Sequence, residues 1–445
     1  MQSVCPATLH GPSRRSGRED NKLRAADRAA HDWYQFVLSF PPHLVREYLT
    51  RFGIKPGQIV LDPFCGTGTT LVECKKLGIE SVGMDPNPMA YLASMVKTDW
   101  KVNGSGLLRH AREVADLTLS RLESQGIDDF PTPPMFQIRR KNSPKLCGLP
   151  EETVGLLLSN SISPLPLHKT LTLLSAMEEL EDSRFTRHER LALAKALVSG
   201  ISNLEFGPEV GVGPAKADAP VVAPWLRHVE SVVTDLRALR PQASTPTIVH
   251  RADARNPGAV LKPESVDAVI TSPPYPNEKE YTRTTRLESV LLGFIRDKYD
   301  LRTLKKNLVR SNTRNVYKGD SDDAAVVGNA QIQRLAAMIE RRREELGKTS
   351  GFERLYARVT KLYFGGMTRH LSELREILRP GARLAYVVGD QASYLRVMIR
   401  TGQLLAEIAA SLGYEVLALD LFRTRLATAT REQLREEVLV LRWPG

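Results

Sequence analysis

The stretch "GQIVLDPFCGTGTTLVECKKLGIESVGMDPNPMAYLASMV", from Gly57 to Val96, changes its hydrophobic period three times in forty residues and so leaves few folds open. Ile59, Val60 and Leu61 form an apolar run too short for a helix, and Gly66 to Thr70 make a turn. Leu71 to Leu77 then read as a helix, a second strand runs to Met84, the acid Asp85 closes it, and a helix starts near Met89. Strand, helix, strand, helix is the pattern of a parallel sheet with crossover helices. The expected class is α/β, a Rossmann-like sheet with helices on both faces.

The alternation breaks and returns. Residues 101–245 are mostly helical by periodicity, with polar, proline-bearing stretches between the helices. Strands resume at Thr247 ("TIVHRADARN") and again at "VDAVITSPPY". Residues 296–350 are heavily charged, and the last ~95 residues return to the sheet plan. The sheet is therefore expected from three pieces, 31–100, 246–295 and 351–445. A mostly helical insertion (101–245) and a smaller charged one (296–350) separate them, behind a basic tail at 1–30. A segment rich in aromatic residues, Trp33 to Phe52, ends in a helix after Pro41-Pro42. No internal repeat stands out.

The chain has 445 residues, enough for two or three domains' worth of core. It carries 62 Lys plus Arg against 51 Asp plus Glu, a formal charge of +11. That excess suits a polyanionic partner, and solvated surface charge produces it as well. The cysteines Cys5, Cys65, Cys74 and Cys147 lack CxxC or Cys/His spacing, so neither a zinc site nor a disulfide framework is indicated. With no apolar leader and no apolar run of membrane-spanning length, the chain reads as intracellular and outside the membrane.

Candidate site residues stand at the strand ends, where an open α/β sheet places its ligands. In "LDPFCGTGTT", Gly66 and Gly68 let backbone approach a ligand closely; a plain tight connection is the other reading. Asp62 beside Phe64 sharpens the ligand reading, because the acid disfavours phosphate while suiting an amino group or ribose hydroxyls. Asp85 can accept from both hydroxyls of a ribose, or cap the helix after "PNP". Asp253, in "HRADAR", ends a third strand and can accept from the exocyclic amino group of an adenine carried by that ribose. The strand ending at Thr271 stops in Ser272-Pro273-Pro274-Tyr275. Two prolines cannot continue a ladder, and they lock the backbone so that the Ser272 hydroxyl and Pro273 carbonyl can face one amino group. Tyr275 can stack on the ring that carries it.

"LDPFCGTGTT" and "TSPPY" together resemble the two defining motifs of the amino-methylating DNA methyltransferases. These enzymes transfer a methyl group from S-adenosylmethionine to N4 of cytosine or N6 of adenine. The resemblance implies that Asp62, Phe64, Gly66 and Gly68 form the cofactor loop. It implies further that Asp85 holds the ribose and that Asp253 lies near the adenine. Ser272, Pro273, Pro274 and Tyr275 match the catalytic tetrapeptide. "FPPHLVREYL" (Phe40 to Leu49) is similar to the segment around the cofactor's methionine end, and "LRPGARLAYVVGD" and "REEVLVLRW" resemble later strands. The likeness covers about 200–250 residues of sheet; the insertions match nothing. It implies S-adenosyl-L-methionine as cofactor, no metal, double-stranded DNA with a flipped base as partner, and a cognate restriction endonuclease as a further one. Serine at the first motif position leans toward cytosine N4, with adenine N6 and RNA as alternatives. No cysteine adjoins Pro-Pro, so a covalent C5 route is not supported. Either insertion can read the target, and Arg310 and Arg314 in "VRSNTRN" are expected to touch DNA.

Overall fold

A computed structural model describes residues 23–35, 39–130, 145–207, 210–277, 279–426 and 432–445. Most of the expected basic tail lies outside them. The strands are β1 (Ile59–Asp62), β2 (Glu80–Met84), β3 (Leu204–Phe206), β4 (Val210–Val212), β5 (Thr247–His250), β6 (Val266–Thr271), β7 (Leu378–Gly389), β8 (Glu415–Leu426) and β9 (Gln433–Arg442). Seven form one sheet in the order β5-β2-β1-β6-β7-β9-β8. All neighbours from β5 to β7 run parallel, and β9 lies antiparallel between β7 and β8. The α/β expectation holds, with a Rossmann-like sheet and a single reversed strand. From β1 the chain steps outward through β2 to β5, then crosses back to β6 on the other side of β1. That reversal opens a crevice at the carboxyl ends of β1 and β6.

Side chains alternate across the sheet as a period of two requires. Val60, Ala268, Ile270, Ala385 and Val387 pack on the Pro42–Phe52 helix. Leu61, Val269, Leu384 and Tyr386 face the Tyr356–Ile377 and Thr401–Ser411 helices. Local signals set the helix ends. Pro42 starts its helix, and Gly53 ends it in the left-handed region at φ 67°.

Residues 101–245 supply the helices Gly104–Ser124, Pro164–Glu179, Thr186–Ala196 and Val222–Leu239. They share one core with Met89, Leu92, Ala93 and Val96 of the Pro88–Lys97 helix. The β3–β4 hairpin in this region was not expected from the sequence. The charged stretch 296–350 is built into the sheet's own core. Ile332, Leu335 and Ile339 of the Ala330–Glu345 helix pack with Val309, Val326 and the Tyr356–Ile377 helix. At Gly365 a Cβ would lie 1.9 Å from the Asp322 carbonyl oxygen, so only glycine admits this approach. Arg310 is 3% exposed, its guanidinium donating to Asp320 at 2.7 and 2.9 Å and to the Lys305 carbonyl at 2.8 Å. The expectation that Arg310 touches DNA is therefore corrected: a guanidinium committed to interior acceptors holds this segment together. Arg314 is 44% exposed. No helix among the described residues is long and apolar enough to cross a membrane.

Candidate active site

The glycine loop follows β1. Gly66 and Gly68 have φ of 49° and 81°, in the region that favours glycine. A Cβ at Gly68 would also meet Ser94 Oγ at 3.0 Å and Ser94 Cα at 3.1 Å. Ser94 Oγ donates to the Gly66 carbonyl at 2.7 Å, and the helix Thr69–Lys76 starts directly beyond. Thr70 Oγ1 donates to the Ile270 carbonyl at 3.0 Å, which fixes this helix to the end of β6.

Asp85 closes β2 and braces two turns at once. Its Oδ2 accepts from Gly66 N at 3.1 Å and its Oδ1 from Asn87 N at 2.8 Å. Burial raises its carboxyl from 3.8 to about 7, the two N–H bonds opposing the rise and the Asp62 charge adding to it. The helix cap proper is Asn87, whose side chain accepts from Met89 N at 3.0 Å. That removes the capping alternative for Asp85.

Asp62 is 0% exposed and lies behind the loop, outside the cavity lining. Its Oδ1 accepts from Thr271 Oγ1 at 2.6 Å and Phe64 N at 3.2 Å, and its buried Oδ2 has no hydrogen-bond partner among the described residues. Burial raises it to about 6. Its bond to Thr271 joins the ends of β1 and β6. Phe64 does line the cavity and meets the His370 ring edge-on at 4.9 Å. Burial lowers His370 to about 4, so its ring is neutral at physiological pH, with Nδ1 donating to Ala254 O and Nε2 accepting from the Tyr386 hydroxyl, each at 2.7 Å.

Asp253 also lines the cavity, and its carboxylate is engaged. Arg255 donates to it from Nε at 3.0 and 3.1 Å and from Nη2 at 2.6 Å, while pairing with Asp322 at 2.5 Å. This buried network ties the loop after β5 to the 296–350 segment. Sequence reasoning saw the acid and missed its partner.

Ser272, Pro273, Pro274 and Tyr275 leave β6 into the same cavity of about 310 Å³. Ser272 Oγ donates its proton to the Val387 carbonyl at 3.2 Å, which leaves its lone pairs available to accept. The Tyr275 hydroxyl donates to Glu436 at 3.0 Å, and Tyr275 N donates to the Tyr281 hydroxyl at 3.3 Å. Burial, with the Glu436 charge, pushes the Tyr275 phenol well above its ordinary value. Of the other six candidate site residues, Phe64, Gly66, Asp85 and Asp253 line this cavity with the tetrapeptide, and Asp62 and Gly68 do not.

The sequence reading missed much of the wall. Asn307, Ser311 and Asn315 come from the charged stretch, and Arg423, Arg425 and Glu436 from β8 and β9. Asn277 N donates to Ser311 O at 2.9 Å and Asn312 Nδ2 to Lys279 O at 3.1 Å, so the catalytic-motif loop and the charged stretch are sewn together. The density of charge in 296–350 was the only available signal.

Residues 12–95 match the DNA methylase family. The chain is similar over 91% of its length to the Type II methyltransferase M.BsoBI of Geobacillus stearothermophilus, at 26% identity and covering 82% of that protein. It is 21% identical to the Type II methyltransferase M.AvaI of Nostoc sp. strain PCC 7120, covering 93% of this chain and 86% of that one. A shorter stretch of 47 residues is 45% identical to a tRNA (guanine(10)-N2)-dimethyltransferase of Methanothermobacter thermautotrophicus, 11% of this chain and 14% of that one. A reversed-strand α/β sheet, with a glycine loop and an SPPY tetrapeptide facing one cavity, agrees with these matches, and the chain is similar to the DNA methylases through residues 12–95 and to Type II methyltransferases over nearly its whole length.

Proposed function

We propose that the chain methylates the exocyclic N4 amino group of cytosine in duplex DNA, with S-adenosylmethionine as methyl donor, as the modification activity of a restriction–modification system. The observation that carries this reading is the junction at the switch point. The glycine loop after β1 and the tetrapeptide after β6 open on one cavity, with Asp85 on its wall. The residues present fit the donor. Asp85 keeps unused lone pairs for ribose hydroxyls, Phe64 and Phe40 offer apolar faces, and the glycine backbone permits close approach. When bound, S-adenosylmethionine supplies an electrophilic methyl group.

The chain's own residues then do the following. Ser272 Oγ and the Pro273 carbonyl accept from the target amino group and hold its lone pair out of conjugation with the ring. They also stabilise the positive charge that grows on nitrogen as the new N–C bond forms. The surplus proton leaves to water after transfer, so no shifted general base is required. Tyr275 stacks on the base, a contact worth ~1–3 kcal/mol. The base must be flipped, because a stacked and paired cytosine cannot present its amino group inside this cavity. The catalytic unit is 31–100 with 246–295 and 351–445, completed by the core and cavity-wall residues of 296–350, and the two intervening stretches supply target contacts, Arg314 among them.

Sequencing DNA from a host that expresses the chain, with detection of modified bases, tests the reading. N4-methylcytosine at one short site is the expected result. N6-methyladenine would transfer the reading to adenine, and unmodified DNA with methylated tRNA would overturn it.

A further inference from the structure

Tyr275 rests on a row of cross-strand neighbours. Gly389 on β7 stands opposite Glu436 on β9, and Glu436 stands opposite Arg423 on β8. A Cβ at Gly389 would come within 2.9 Å of Tyr275 Cε2, so the ring lies directly on the backbone there. The Tyr275 hydroxyl donates to Glu436 Oε1 at 3.0 Å, and Arg423 Nε donates to Oε2 of the same carboxylate. The register of β8 shifts between Leu421 and Arg423. Such a bulge breaks the two-residue alternation, and here the adjacent Phe422 and Arg423 both line the cavity. Without the shift, alternation would place these two neighbours on opposite faces.

We propose that Glu436 is a positioning residue for target-base capture, fixing the plane of the Tyr275 ring before the base arrives, with Arg423 holding Glu436 in turn. This rests on the reading of Ser272 to Tyr275 as the capture site. A tyrosine anchored only at its Cα would have to lose side-chain freedom each time a base bound. One held along its Cδ2–Cε2 side by Gly389 and at the hydroxyl by Glu436 has lost it already. The Glu436–Arg423 pair also explains why a charged row crosses the sheet at the cavity rather than an apolar one.

The test uses the full chain, a duplex bearing the modified site with its cytosine intact for kinetics, a second with 2-aminopurine at the target position for flipping, and four variants: Tyr275→Phe, Glu436→Ala, their combination, and Glu436→Gln. Tyr275→Phe keeps the ring and loses only the hydroxyl. It and Glu436→Ala are each expected to lower the flipped-base fluorescence and raise KM for the duplex about tenfold, the loss of one charge-assisted hydrogen bond. The double variant is expected to be no worse than either single one, because both remove the same bond. Glu436→Gln, which retains an acceptor, is expected to recover most of the signal. S-adenosylmethionine affinity by calorimetry should stay at the wild-type value throughout, reporting that the cavity is folded. Additive losses in the double variant, or a Tyr275→Phe enzyme that captures the base normally, would overturn the role of Glu436. A wild-type chain that methylates no duplex would remove the reading of the site itself.

Discussion

Asp85→Ala separates the two jobs that the structure gives this carboxylate. The side chain accepts from Gly66 N and Asn87 N, and its remaining lone pairs face the cavity. Two ribose hydroxyls donating to a carboxylate contribute ~1.5–3 kcal/mol each, together ~3–6 kcal/mol, so truncation should weaken S-adenosylmethionine binding by about a hundredfold to ten-thousandfold. Truncation also leaves two buried N–H groups without acceptors, at ~1–3 kcal/mol apiece, which should lower the melting temperature of the ligand-free protein. A second variant, Asp85→Asn, keeps one acceptor oxygen and loses the charge. Burial holds the Asp85 carboxyl at about 7 in the folded chain against an ordinary 3.8, so between those pH values the folded chain keeps a proton that the unfolded chain has lost. This contribution to stability therefore falls as pH rises through that window, and Asp62, raised to about 6, acts in the same direction. Asp85→Asn should accordingly gain stability relative to wild type at pH 8 compared with pH 5. Ligand binding should show the opposite slope. Hydroxyl donors favour the ionised carboxylate, so affinity should rise toward pH 7 with release of up to one proton, and Asp85→Asn should abolish that release. Titration calorimetry in buffers of different ionisation enthalpy, at pH 6 and pH 8, measures affinity and proton count together. A folded Asp85→Ala protein with wild-type affinity and wild-type proton release would refute the ribose assignment.

Other expectations follow from the same geometry. Ser272→Ala should slow methyl transfer by ~10–1000-fold in single-turnover assays, taking deletion of an oxyanion-hole donor as the nearest measured case, while cofactor affinity stays intact. Arg314→Ala should reduce the slope of log affinity for DNA against log salt by about 0.9 if the exposed guanidinium neutralises one phosphate, and an unchanged slope would exclude that contact. Arg310→Ala should instead act on folding. It strips a buried guanidinium from Asp320, and breaking such a pair costs ~3–5 kcal/mol, seen as a lower denaturation midpoint. Gly365→Ala should lose ~1–3 kcal/mol or more, because the new methyl group collides with the Asp322 carbonyl, and a wild-type melting curve would show that this approach is softer than its geometry.

The parts of the fold legible in the sequence are those that neighbouring residues decide. β1, β2, β5 and β6 announce themselves as short apolar runs ending at turn residues, and the helix starts follow from Pro42, Asn87 and the glycine loop. The β3–β4 hairpin escaped because each strand has three residues and lies among glycines and prolines. In the 296–350 stretch, Ile332, Leu335, Ala336 and Ile339 carry the i, i+3, i+4, i+7 spacing of a buried helix face. Dense charge on the other face masked it, so a piece of the sheet's core read as a solvated excursion. The same misreading sent Arg310 to DNA, since one sequence cannot distinguish a guanidinium facing water from one paired to Asp320.

The candidate site divides along the same line. Its floor comes from strand ends whose acids and glycines are close in the chain to the elements that position them, so Asp85, Gly66 and the SPPY turn, all singled out from sequence, lie on one cavity. Asp62 was found yet misplaced, because whether a strand-end carboxylate faces ligand or core depends on its neighbour in space. Here Thr271, 209 residues away, takes one of its oxygens. Asp253 was read as a free acceptor because Arg255 becomes its guanidinium partner only when Asp322 and the Lys306 carbonyl fix that side chain in place. The cavity's upper wall depends wholly on such distant pairings, and the β8 bulge that turns Phe422 and Arg423 toward Tyr275 has no local sequence mark at all. A βαβ sequence thus specifies where the crevice opens and which groups lie at its base. What those groups can do is set by partners from β8, β9 and the 296–350 stretch, which decide which acids stay free and which aromatic ring is held still.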